Sequence, residues 1–87
     1  MEKYCRNTEI IDGEIDDNQV MMHIGRGKYF GLNSVGKRIW TLMEEPKTFE
    51  EITTALLLEY NISADQCRKE VGAFLEKGVE FDIIVKK

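Results

Sequence analysis

The apolar positions of this chain change period about a third of the way along. From Tyr4 to Leu32 they alternate or cluster in short runs; from Asn33 onward they recur three and four residues apart. Alternation suits a half-buried strand, and the longer step suits one face of a helix. Tyr4 to Ile11 mixes apolar and polar residues, with Tyr4, Arg6, Thr8 and Ile10 on one parity, and reads as a first strand. Asp12 to Asn18 (DGEIDDN) is a turn-rich acidic stretch. Val20, Met22 and Ile24 alternate with Met21 and His23, which predicts a second strand with His23 as a strand surface residue. Gly25-Arg26-Gly27 reads as a tight connection, because glycine admits the positive φ of short hairpins. Lys28 to Leu32 is then a short aromatic third strand, paired antiparallel with the second.

The remainder predicts three helices of about 11, 12 and 15 residues. Asn33 or Ser34 caps the first, whose apolar face is Val35, Ile39, Leu42 and Met43, with Trp40 beside it as a packing residue. Glu44-Glu45-Pro46 ends it, since the residue before proline avoids the α region. Thr48 and Glu51 form a capping box for the second helix, which buries Phe49, Ile52, Leu56 and Tyr60 and breaks at Asn61. Ser63 and Gln66 form another for the third, with a stripe of Ala64, Cys67, Val71, Phe74 and Leu75 and an end at Gly78. FDIIVKK is either a closing strand or a tail. The fold class is α+β: a single winged helix-turn-helix-like domain over residues 1–87, with an N-terminal three-stranded antiparallel sheet followed by three helices.

Composition narrows the function. With 43% hydrophobic residues in 87, the chain builds one core. Its net charge of -4 argues against a nucleic-acid binder. No apolar run approaches the ~20 residues of a membrane span, and the N-terminus lacks a signal peptide's apolar stretch; a cytoplasmic protein is expected. Cys5 and Cys67 form no CxxC pattern and are expected as free thiols. Two Cys and one His fall short of the usual ~4 ligands of a zinc site. No nucleophile motif is present, and the GRG turn lacks the Lys-Ser/Thr of a phosphate loop. No cofactor, metal or catalytic residue is expected. The five acidic residues between Glu9 and Asp17 read as a solvated turn or, functionally, a surface for a basic partner.

Two stretches carry a family resemblance. KYFGLNSVGKRIWTLMEEPKTFEEI, Lys28 to Ile52, has an aromatic strand, Leu-Asn, small residues, an Ile-Trp pair, then Pro, Thr and Glu-Ile. CRKEVGAFLEKGVEFDII, Cys67 to Ile84, is similar to an Asp-Val-x-x-Phe-Leu-x-x-Leu ending, with Glu70 in place of the common Asp and Gly78 in place of the common Leu. Together they resemble the PqqD-like family, recognition domains for ribosomally made, post-translationally modified peptides. The resemblance implies that the leader segment of a precursor binds as an extra strand beside the third strand, in a groove shared with the third helix. The short acidic form is most similar to the freestanding leader-binding proteins of lasso-peptide clusters, which serve a separate leader peptidase or modifying enzyme.

Elementary physics agrees with such a role. An edge strand presents unpaired N–H and C=O groups that a peptide can satisfy. The candidate peptide-binding residues are Lys28, Tyr29, Phe30, Gly31 and Leu32 on the strand, and Cys67, Arg68, Glu70, Val71 and Phe74 on the helix. Tyr29 and Gly31 fall on one parity, Lys28, Phe30 and Leu32 on the other; which faces the peptide is open. Gly31 leaves room for a second backbone. The competing readings are a winged-helix DNA-binding regulator and a protein–protein scaffold. The first needs a basic recognition helix, whereas Ser63 to Gly78 balances Asp65, Glu70 and Glu76 against Arg68, Lys69 and Lys77.

Overall fold

A computed structural model describes residues 2–15 and 18–87. The change of period marks the boundary between sheet and helices. Five strands, β1 (Tyr4–Arg6), β2 (Ile10–Ile15), β3 (Asn18–His23), β4 (Lys28–Gly31) and β5 (Ile84–Lys86), flank three helices, α1 (Ser34–Leu42), α2 (Phe49–Glu59) and α3 (Ala64–Glu80). The fold is α+β, with antiparallel strands and a sheet that precedes three helices. That sheet has the order β2-β3-β4, with Met22 opposite both Ile11 and Tyr29. A second sheet pairs β1 with β5, Cys5 opposite Val85.

The N-terminal region departs from the sequence reading in two ways. Tyr4 to Ile11 is not one strand. Asn7 breaks it: its side-chain oxygen accepts the Glu9 N–H at 2.9 Å, and its amide donates to the Asp82 carbonyl at 2.6 Å. Conversely, Asp12 to Ile15 is strand rather than turn, with Ile15 opposite Asn18 of β3. Asp12 is held there by Trp40, whose Nε1–H donates to its carboxylate at 2.6 Å. The remainder of the expected acidic turn, Asp16 and Asp17, lies outside the described residues. FDIIVKK does close as a strand, since β5 completes the second sheet.

The core gathers Ile39, Trp40 and Met43 of the α1 segment, Ile52 and Leu56 of α2, Cys67, Val71 and Leu75 of α3, and Ile83 and Ile84 after it, with Met21 from the sheet. Arg6 crosses from β1 to α1: Nε donates to the Trp40 carbonyl at 3.0 Å, and the guanidinium lies 4.6 Å from the indole centre. Asn33 caps α1 through the Gly36 N–H. Thr48 and Glu51 form the complete capping box of α2. At α3, Ser63 accepts the Gln66 N–H, but the Gln66 side chain turns to Glu70 instead of returning to the cap.

Two further expectations are corrected. Gly78 does not end α3, which runs on to Glu80: the left-handed closing residue is Asp82, Ile83 donates its N–H to the Gly78 carbonyl at 2.8 Å, and the missing Cβ of Gly78 makes room for Ile84 instead. His23 is not on the surface but 2% exposed, on the inner parity of β3 beside Met21. Among the described residues no helix is long and apolar enough to cross a membrane.

Candidate peptide-binding groove

Among the described residues the sheet order leaves β4 with one neighbour, β3, so one edge of β4 carries backbone groups without a strand partner there. α3 runs past that edge. Between them lies a cleft of about 360 Å³, with Tyr29, Phe30, Gly31 and Leu32 on one side and Phe74, Lys77, Gly78 and Phe81 on the other; Met21 and Ile83 complete it. The rings of Phe30 and Phe81 meet at 5.5 Å, tilted by 43°. A second hollow of about 260 Å³ continues the cleft between α1 and α3, and Phe74 and Lys77 line both. Phe74 approaches α1 closely because position 36 is glycine; a Cβ there would sit 3.2 Å from its ring.

The strand half of the predicted site is brought together. Phe30 and Leu32 are half-buried, facing the helices, while Tyr29 is 62% exposed on the opposite parity at the mouth of the cleft. A Cβ built on Gly31 meets nothing within 4 Å, so the space beside it is open. Lys28 is exposed opposite His23, at the turn end of β4, and lines neither hollow.

The helix half divides. Phe74 lies in the cleft, and Glu70 lines its continuation. Cys67 and Val71 are fully buried. The Cys67 thiol donates to the Thr53 carbonyl at 3.6 Å; burial, and then the charge of Glu70, push it up from its ordinary value, against the opposing pull of Arg68. Arg68 turns toward α2, where both terminal nitrogens hold Glu50 at 2.9–3.0 Å over the Phe49 ring. The groove wall therefore shares Phe74 with the expected apolar stripe and otherwise lies one step round the helix, at Glu70, Ala73 and Lys77. The step from Glu70 by three, four and seven residues could have found it. Phe81 and Ile83 follow the helix, and nothing in the helical period points to them.

Among the described residues Lys77 is the one charged residue lining the first hollow, and Glu70 joins it in the second. Among the described residues no three His, Cys, Asp or Glu side chains converge as metal ligands would. The arrangement suits an extended apolar ligand with backbone groups to pair.

The family model described as coenzyme PQQ synthesis protein D (PqqD) matches residues 18–84. A solved structure of TbiB1 in complex with the TbiA(beta) leader peptide is 34% identical, with 92% of this chain and 93% of that one covered at a TM-score of 0.80. A lasso peptide synthetase B1 complexed with the leader peptide is 17% identical, with 94% and 96% covered at the same TM-score of 0.80, a likeness of fold. No curated protein sequence matches the chain.

Proposed function

The chain belongs to the PqqD family, and from that premise we propose that it binds the leader segment of a ribosomally made precursor peptide as a strand added to β4, and delivers that precursor to a leader peptidase or other modifying enzyme in the cytoplasm. The observation that carries the reading is the open edge of β4 facing α3 across an apolar cleft. The lasso-peptide type is the form that the short acidic sequence resembles; the 34% identical TbiB1 was solved with a leader peptide bound, which supports leader binding itself.

The energetics divide the work between backbone and side chains. A micromolar complex needs about 8 kcal/mol. Backbone pairing contributes ~1 kcal/mol net per bond, and association itself costs several. Apolar leader residues seated among Phe30, Phe74 and Phe81, at ~1.5–3 kcal/mol each, supply the difference. The bound leader then acts as a tether, and the core peptide meets the enzyme at roughly millimolar effective concentration. The protein's own role is binding and presentation, without chemistry.

A DNA-binding role is disfavoured by the same contacts, since Arg68, one of the few cations of α3, is already paired with Glu50. Calorimetric titration with the TbiA(beta) leader and with the leader of any precursor encoded alongside, against a DNA duplex, tests the reading. Saturable leader binding, weakened about tenfold or more in a folded Phe74→Ala protein, is expected. Tight duplex binding with no leader binding would replace recognition by regulation.

A further inference from the structure

A polar cluster adjoins the groove without lining it, a buried imidazole met by the half-exposed carboxylates of Asp82 and Glu9. His23 is 2% exposed, yet both ring nitrogens have partners. Nδ1 accepts the backbone N–H of Arg26 at 3.2 Å, which places the ring proton on Nε2. Nε2 then donates to Asp82 Oδ2 at 3.3 Å, with Glu9 Oε2 at 3.9 Å. The groups facing the ring are thus Glu9 from the segment before β2, the Arg26 amide from the β3–β4 turn, and Asp82 from the turn after α3.

Two of these segments build the groove. The β3–β4 turn delivers β4 to its place. Asp82 stands between Phe81 and Ile83, both of which line the cleft. It adopts φ of 63°, the left-handed position that closes α3, with its own N–H on the Val79 carbonyl and the Ile83 N–H on the Gly78 carbonyl. Asn7 grips its carbonyl at 2.6 Å, and His23 grips its carboxylate. One imidazole therefore spans the strand side and the wall side of the cleft.

We infer that His23 is a positioning residue for this groove: through its Nε2–H to Asp82 it holds Phe81 against Phe30, and so sets the width of the cleft that an added peptide strand enters. It does not touch the peptide. The inference rests on the recognition role proposed above and deepens it.

The two arms of the ring separate by substitution. Glutamine places an amide donor near the Nε2 position and keeps the Asp82 arm. Asparagine places an oxygen near the Nδ1 position and keeps only the Arg26 arm. Asp82→Gly removes the same arm from the other side while suiting the left-handed backbone. Two readouts serve: calorimetry with the TbiA(beta) leader, and the nuclear Overhauser contact between the Phe30 and Phe81 rings in peptide-free protein. His23→Gln is expected to bind within about threefold of the unsubstituted protein and to keep the ring contact. His23→Asn and Asp82→Gly are expected to bind about tenfold more weakly, the scale of one charge-assisted hydrogen bond. Both lose the ring contact, and Asp82→Gly does so with no fall in Tm. If all three variants bind alike, or if affinity simply follows Tm, His23 is packing and the inference fails. If the unsubstituted protein ignores this leader, the recognition reading fails for it, and the ring contact in the variants still decides the positioning role.

Discussion

Two glycines of α3 look alike in the sequence and differ in the structure. At Gly78 a Cβ would collide with Ile84 Cδ1 and lie 2.7 Å from its Cγ1. At Gly72 it would meet only the Phe49 ring, at 3.9 Å. Gly78→Ala should therefore destabilise the protein by about 1–3 kcal/mol through overpacking. Gly72→Ala should stabilise it by up to about 1 kcal/mol through helix propensity. Urea unfolding with unchanged slope checks both, as midpoints moving in opposite directions. The sequence shows a glycine near the end of an apolar stripe and invites a helix stop there; the glycine instead makes room for Ile84, beyond the helix, and the left-handed stop falls at Asp82. His23 misleads similarly. Its alternation with Met22 is visible, but which parity faces inward depends on partners at Glu9 and Asp82. The thiols divide too: burial raises Cys67, so alkylation should modify half-buried Cys5 first and reach Cys67 only on unfolding, as mass spectrometry of a timed reaction would show.

Helix starts were the most legible features, because an N-cap is a local chemical event. Thr48 accepts the Glu51 N–H at 3.1 Å, and Glu51 accepts the Thr48 N–H at 2.9 Å. Thr48→Ala should cost about 1 kcal/mol. The bond from the Thr48 backbone is the largest influence on the Glu51 carboxyl and holds it below its ordinary value. A group lowered on folding stabilises the protein above its unfolded value, and that contribution is lost as pH falls through the folded one. Stability should thus decline on the acid side, and Glu51→Gln should flatten that limb in denaturation curves taken at successive pH values. Strands were less legible. β1 is three residues long and pairs with a strand about 80 residues away, so nothing local to Tyr4–Arg6 announces its partner. The groove was legible by half for a related reason: β4 lines it with consecutive residues, whereas α3 contributes a face set by which stripe the core claims first.

For the whole molecule, an open strand edge makes stability depend on occupancy. A leader bound to the native state alone stabilises it by about 2.7 kcal/mol at a hundredfold excess over Kd. Its presence should raise Tm in differential scanning fluorimetry and slow amide exchange along β4 more than along α2. Equal protection of both would place the peptide elsewhere.

The pairing of β1 with β5 has a mechanical corollary. Tyr4 lies opposite Lys86 and Arg6 opposite Ile84, and Lys3 and Lys87 exchange backbone bonds beside them at 2.7–3.1 Å. Antiparallel bonds run across the strands. A load applied between Lys3 and Lys87 therefore strains one pair at a time, as a zipper opens, instead of shearing all of them together. The chain should yield at low force in an optical trap, with β5 peeling first and drawing Ile84 off Gly78 before the helices separate.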